Sequence, residues 1–591
     1  MKNQLVIHQI KNNMRKHLQI LSILTLLGCT TSVLAQQKGK DTLDTGTVNV
    51  VKPYTPSVND AFKVKETPAL DDEHNSVKKE VKYNIFSFPV ASTFTPAKGN
   101  AADVEKAKPV KLFDNYATLG LGTYATAVGE LYLNHAISRS ESAGGYFSHQ
   151  SSQGGIQDVL TDDYYYNTKL NANYSQKQKD LSWKVEAGFE HQIYNWYGLP
   201  QPMFTQATAD TLDVAHTFYG IHVGGNLDFE DTYLKSGSVL FRRFGDDFGS
   251  GENNFTAKVV ADVPIADEEI STTILIDYLG GSFDKNYFIN EELKYGNFQI
   301  GLSPTYQMRQ DDLTLNLGAS LYYLNDTENN ENKLYIYPNI TATYRVVSEV
   351  VIAYGGIEGG LIQNTYHKFA NENPFVSPTL GIRPTDKQYD AYIGLKGKLS
   401  NHMSYNISGR YMAERFKALY KSNTIRNNGF SEDYHYGNSF GIVYDDVDTY
   451  SIAGELSVDV NRNFTMSLKG EYFGYSQSEE AEAWNLPDFK ASLFMDYQID
   501  EHWFAGANLF FVGERKDQMV LEGSLLPGSL TTTVTLDSYF DANAHVGYHL
   551  TDRWSVFLRG NNLANNDYQR WQNYPVQGFQ LLAGATYKFD F

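Results

Sequence analysis

Cysteine is almost absent, with a single residue, Cys29, in a chain of 591. One thiol builds no disulfide framework and no thiolate metal site, so dithiol redox chemistry and cysteine-ligated zinc are excluded. Long apolar runs are missing as well. Beyond residue 35 there is no stretch of about 20 apolar residues, and the mature chain therefore crosses no bilayer as a helix. Positive charge is in short supply, 49 Lys and Arg against 69 Asp and Glu, for a formal charge of −20. Such a surface repels phosphate backbones, and nucleic acid is not an expected partner. Glycine-rich phosphate loops, zinc-ligand spacings and cofactor motifs are also lacking, so no metal, no cofactor and no enzymatic activity are expected.

What is abundant points to strands. Tyr (42), Phe (34) and Gly (47) are plentiful. Aromatic side chains suit a pleated, half-buried surface, and glycines serve turns and close strand contacts. The mean hydropathy is negative, which is no argument against a membrane. A spanning strand needs only about 10 residues, and only alternate side chains meet lipid.

Three segments are expected. Lys11, Arg15 and Lys16 precede the apolar stretch Leu18 to Leu27, and Val33-Leu34-Ala35 offers a signal-peptidase site, so residues 1–35 read as a signal peptide. Cys29 follows Leu26-Leu27-Gly28 and imitates a lipoprotein acylation site, but it is read as discarded with the leader. Residues 36–113 carry six of the seventeen prolines; they are read as a short, mostly irregular periplasmic segment. Residues 114–591 alternate in polarity. Leu313, Leu315, Leu317, Ala319, Leu321 and Tyr323 fall on one face, Thr314, Asn316, Gly318, Ser320 and Tyr322 on the other. That is the pattern of strands with one face on lipid and one on a wet interior.

Short turns near 178–180, 266–268, 309–311, 347–349, 400–402, 461–463, 499–502 and 550–553 alternate with longer connections near 195–212, 284–292, 325–333, 363–387, 416–434, 477–485, 515–534 and 566–577. Counting strands backward from Phe591, with 439–460 taken as one strand, gives about 22. The expected fold is all-β, a transmembrane antiparallel β-barrel with short turns in the periplasm and long loops outside. A lumen of that size is too wide for wall side chains to fill. It is open, blocked by residues 36–113 or by loops such as 363–387, or occupied by a partner.

Candidate sites are few. Trp196, Tyr197 and Phe204, with Pro200, Pro202 and Met203, form an aromatic cluster in a long connection. It reads either as a ligand loop or as an interfacial aromatic belt with loop packing, and the belt is the reading for Tyr164, Tyr165 and Tyr166 too. Asp162-Asp163, Asp246-Asp247 and Asp445-Asp446 with Asp448 could hold calcium, but none has a calcium-loop spacing, and solvated acidic loops are expected. His149 among Ser148, Ser151 and Ser152 lacks an acid for a catalytic triad.

The last strand places Leu581, Ala583, Ala585, Tyr587, Phe589 and Phe591 on one face and ends on phenylalanine. Tyr587, Phe589 and Phe591 resemble the signal read by the barrel-assembly machinery. With Asn562-Leu563-Ala564-Asn565, Tyr568, Tyr574-Pro575, Gly578 and Gly584, about the last 55 residues resemble the closing strands of TonB-dependent receptors. Thr47, Val48, Asn49, Val50 and Val51, after Asp41-Thr42-Leu43-Asp44, are similar to the segment with which such receptors engage TonB. The resemblance implies 22 strands, a Gram-negative-type outer membrane, and binding or transport of a solute. Its implied partners are outer-membrane lipid, TonB and a surface lipoprotein or other envelope proteins. Residues 36–113 are shorter than the folded plug of those receptors. That shortfall leaves a second reading, a non-transporting subunit of an outer-membrane assembly or secretion complex.

Overall fold

The structure is a computed structural model, and it describes residues 112–230, 232–265, 268–426, 432–461, 463–520 and 531–591. The expected leader, its expected cleavage site and Thr47–Val51 lie outside the described residues.

Twenty-two strands form one antiparallel sheet in chain order, from Asn115–Gly122 to Gln580–Phe589. These two strands pair with each other from Asn115↔Phe589 to Gly122↔Leu582, and the sheet becomes a closed barrel. Closure leaves no edge, so every wall strand finds partners for its backbone groups on both sides. Inside the closing ladder the Thr118 and Thr586 hydroxyls meet at 2.9 Å.

The alternation read from the sequence is the alternation of the wall. Leu317, Leu321 and Tyr323 point outward and are exposed, whereas Ser320 on the same strand is buried. On the neighbouring strand Glu331–Val347, Leu334, Ile336, Ile340 and Tyr344 are exposed and Tyr337 and Thr341 buried. The outer face is an apolar band suited to lipid. At its short-turn margin it carries Trp503 beside Tyr548 and Trp554 beside Tyr587, with ring centroids 4.8 and 4.6 Å apart; such girdles mark both rims of membrane barrels. No helix among the described residues is long and apolar enough to cross a membrane.

The segment taken as one strand over 439–460 is the single strand Phe440–Asn461. Four long connections hold regular structure that alternation could not show, the first being 196–214 with the short helix Gln206–Ala209. Residues 363–384 contain the helix Tyr366–Glu372. A hairpin pairs Arg515–Val520 with Thr531–Leu536, and a small one pairs Gln569–Trp571 with Tyr574–Pro575.

Candidate functional site

At the long-loop end of the barrel the inner face stops being polar. Phe218, Phe244, Leu279, Phe283 and Tyr295 are inward-facing wall residues near that rim, and all are buried. They are covered by residues of the connections, among them Trp196, Tyr197, Tyr366, Phe369, Phe375, Tyr434 and Tyr574, and together they make one hydrophobic core. The loops therefore fold inward over the lumen.

The connections are tied across the opening. Trp196 follows the fifth strand, Leu181–Asn195, and Asn438 precedes the sixteenth, Phe440–Asn461; in a ring of 22 these strands stand opposite each other. The Asn438 Nδ2 donates to the Trp196 carbonyl at 3.0 Å, so this bond bridges the mouth. Tyr574, from the last connection, donates its hydroxyl to the Asn438 carbonyl and stacks on Phe375 with centroids 3.8 Å apart. Tyr197 Oη donates to the Pro575 carbonyl at 3.0 Å. Such aromatic pairs add about 0.5–1.5 kcal/mol each beyond burial. Gly198 is required here, because a Cβ at this position would collide with the Tyr574 ring.

A buried polar frame anchors the helix Tyr366–Glu372 to the wall. Thr365 caps it, accepting from the Lys368 amide at 3.0 Å. The first helical amides, of Tyr366 and His367, donate to Glu252 at 2.6 and 3.3 Å; free amides at a helix start favour an anionic partner. Tyr366 Oη donates to Asp246 Oδ2 at 2.6 Å, and His216 Nε2 lies 3.1 Å from the same oxygen. Burial, then the Asp246 charge, pushes the Tyr366 hydroxyl well above the usual tyrosine range. His367 Nε2 sits 2.7 Å from Glu190, one strand further round.

Beside this core lies a cleft of ≈ 50 Å³. Its walls are Tyr165, Tyr194, Tyr197, Phe375, Trp571 and Tyr574; its polar lining includes Asp163, Asn195, Asp541, Asn543, Asn561 and Arg570. Burial holds the Arg570 guanidinium below its ordinary range and lifts the Asp163 carboxyl above its own. The buried oxygens Asn195 Oδ1 and Asp541 Oδ1 have no hydrogen-bond partner. The structure thus presents a narrow aromatic slot with one cation and unsatisfied acceptors.

Several sequence expectations change. Trp196 and Tyr197 belong to the packed loop core and not to an outer belt, and Tyr165 is buried against Tyr194 with centroids 6.2 Å apart. Phe204 is half-buried, its ring 5.5 Å from Tyr436. Asp246 and Asp445 are not solvated. The Asp246 side chain is fully enclosed, and buried Asp445 accepts from the Glu479 and Glu480 amides at 3.0 and 2.8 Å, shaping the connection 478–488. Among the described residues no group of three or more His, Asp, Glu or Cys is arranged to hold a metal. His149 meets the hydroxyls of Thr168 at 2.8 Å and Ser151 at 3.2 Å on the inner wall. Tyr587, Phe589 and Phe591 line the outer face of the closing strand, with centroids 5.6 and 5.5 Å apart in sequence. Sequence reading missed Tyr366, Tyr434, Arg570 and Asp541. One available signal was the run of inward aromatics, Phe218, Phe244 and Phe283, at strand ends where a wet lumen would call for polar residues.

The wall, its strand count and its closure by the C-terminal strand match known barrels. The structure has the fold of TonB-dependent outer-membrane receptors. It is similar to the pyoverdine outer-membrane receptor FpvA of Pseudomonas aeruginosa at a TM-score of 0.59 and 12% identity, covering 82% of this chain and 80% of that one. It is similar to the siderophore receptor PirA of Acinetobacter baumannii at 0.59 and 10%, covering 80% of each. To the ferric-catecholate import receptor Fiu of E. coli K12 the values are 0.56 and 10%, covering 80% of this chain and 82% of that one. No family model and no curated protein matches the sequence. At these identities the likeness is one of fold.

Proposed function

We propose that this protein is an outer-membrane receptor that binds a solute at the long-loop end of the barrel and passes it inward. In this reading the long loops face the exterior and the short turns face the periplasm. The observation that carries it is the closure of the mouth by the chain's own loops around a lined cleft. An open pore would need no such core. A receptor that must recognise before it admits needs a closed, chemically shaped mouth, because a site excludes other solutes only where it is structured. The barrel fold shared with outer-membrane receptors supports this reading.

Its partners in this reading are outer-membrane lipid around the apolar band, the barrel-assembly machinery, a surface lipoprotein, and TonB at Thr47–Val51. Engagement there would be by strand addition, in which main-chain hydrogen bonds supply the affinity. Val48→Pro should abolish TonB capture and Val48→Ala should not, since proline removes the donor.

Conductance tests the closure. The purified barrel in a planar bilayer should conduct little, and Gly198→Ala, which unseats Tyr574, should raise conductance. Free conduction by the unaltered protein would overturn the proposal. The closed mouth also suits the second reading, a barrel that serves as a complex subunit. Recovery from native membranes only as a stoichiometric complex, with no solute uptake, would favour that reading instead.

A further inference from the structure

Two opposite charges line the same cleft without touching. Arg570 and Asp541 both face it, yet among the described residues no ion pair joins them, and Arg570 makes no side-chain hydrogen bond. Tyr539, Tyr568, Tyr194 and Tyr420 lie near enough to the Arg570 guanidinium to act on its charge, but none is an anion that neutralises it. The nearby Arg515 does not need Arg570's anion. Its own guanidinium is tied to backbone carbonyls, those of Arg570 and Gln569, the latter at 2.9 Å. Arg570 is thus a half-buried cation on the cleft wall whose five donors meet no protein acceptor and are open to a ligand.

The acceptors are the mirror image. Asp541 uses Oδ2 to accept from the Tyr568 hydroxyl at 2.9 Å; its buried Oδ1 makes no well-formed hydrogen bond, although the Asn543 amide and the Ala542 N–H lie beside the carboxylate. Asn195 donates to the Tyr164 carbonyl at 2.6 Å, and its Oδ1 is also buried without a donor. A ligand that satisfied this set would bring an anion for the planar fork of Arg570 and N–H donors for Asp541 and Asn195.

We infer that the cleft binds the zwitterionic head of an α-amino acid, its carboxylate on Arg570 and its ammonium on Asp541 and Asn195. The inference rests on the reading of the barrel as a solute receptor. An ammonium carries three donors, enough for both acceptors. The size agrees: one water needs about 10–15 Å³ of such space, so ≈ 50 Å³ takes a group of a few heavy atoms. The head fills that volume, so the cleft itself sets no requirement on the side chain. A simple anion would leave both acceptors bare, and a bare cation would leave Arg570 unpaired.

The test uses the full-length protein in detergent with three probes: L-leucine, 4-methylpentanoate, which lacks the ammonium, and leucinamide, which lacks the carboxylate. Trp571 lines the cleft, so tryptophan fluorescence reports occupancy, with calorimetry as a check. Leucine should bind, and each analogue should bind about tenfold or more weakly. Arg570→Gln should erase the preference over leucinamide, and Asp541→Asn the preference over 4-methylpentanoate, each variant keeping the heat-dependent gel shift of a folded barrel. Equal binding of leucine and 4-methylpentanoate would reduce the site to an anion site and overturn the inference. So would failure of all three probes to bind a protein that still takes up some other solute in reconstituted vesicles, and in that case the receptor reading survives. If the reconstituted barrel binds and passes nothing at all, the receptor reading itself fails and takes the inference with it.

Discussion

Tyr366 Oη donates to Asp246 Oδ2 at 2.6 Å, and neither side chain reaches solvent. The bond joins the inward-folded connection 363–384 to the barrel wall through a buried carboxylate. Asp246 keeps His216 on the same oxygen, while its other oxygen accepts from the Phe248 and Ser250 amides at 3.0 and 2.8 Å. Tyr366→Phe should therefore leave the wall folded while loosening the connection by about 1.5–3 kcal/mol, the usual worth of a hydrogen bond to a charged group. Faster amide exchange across 363–384, with the gel shift retained, is the expected result. Unchanged exchange there would show that the helix is held by its aromatic contacts alone.

The wall was legible because a strand's period of two is written residue by residue. Leu317 and Ser320, or Ile336 and Tyr337, declare opposite faces without reference to anything distant. The count followed from alternating turn lengths and did not depend on contacts. The mouth was opaque for the opposite reason. Trp196, Tyr366, Tyr434 and Tyr574 come from four separate connections, and no local pattern relates residues that far apart. Trp196 stands out as an aromatic among prolines, but its ring is buried against His216, Phe248 and Tyr434, which lie far from it in the chain. Asp246 and Asp445 read as solvated loop acids because sequence cannot show that a carboxylate is enclosed by amides and a tyrosine hydroxyl. The cleft needed Asp541 and Arg570, which stand on either side of a wall turn and are brought together only by the folding back of the last connection.

The two faces of one strand should differ sharply in their tolerance of charge. Ile340 points outward near the middle of Glu331–Val347, and Asn339 beside it points into the lumen, its amide on Thr305 Oγ1 at 3.3 Å. A lysine on the lipid face near the midplane costs about 2–4 kcal/mol, whereas lumen positions are permissive. Ile340→Lys should lower the temperature at which the folded band is lost on gels, and Asn339→Lys should not. Equal effects would mean that the outer band does not sit in lipid.

Acid should tighten the connection 153–164. Asp163 accepts from the Ile156 amide at 2.7 Å, and burial raises its carboxyl above the ordinary value of 3.8, with Asp162 adding to the rise. A carboxyl whose folded value lies above its unfolded one disfavours the folded state once ionised. Its contribution is therefore most favourable below the unfolded value and is lost as pH rises through the folded one. Amide exchange of 153–164, corrected for intrinsic rates, should show stronger protection near pH 4 than near pH 7. Asp163→Asn should flatten that dependence. Protection that instead weakened toward acid in the native protein, and not in the variant, would contradict the burial assignment.

Phe591 separates recognition from stability. The closing ladder ends at Asn115↔Phe589, so Phe591 lies beyond the last paired residue. It is 77% exposed, and its ring contacts include the edge of Phe589 at 5.5 Å and His135 at 6.0 Å. Contacts of that kind contribute about 0.5–1.5 kcal/mol each at most, little against a closed ladder of 22 strands. Removing Phe591 should therefore scarcely change the thermal stability of barrel refolded in detergent. If Tyr587, Phe589 and Phe591 are read by the assembly machinery, the same deletion should sharply reduce folded protein recovered from the outer membrane of cells. Quantifying the folded band from membranes beside the melting of refolded protein distinguishes the two roles. A parallel loss in both would make Phe591 a structural residue, and undiminished assembly in cells would place the signal elsewhere in the chain.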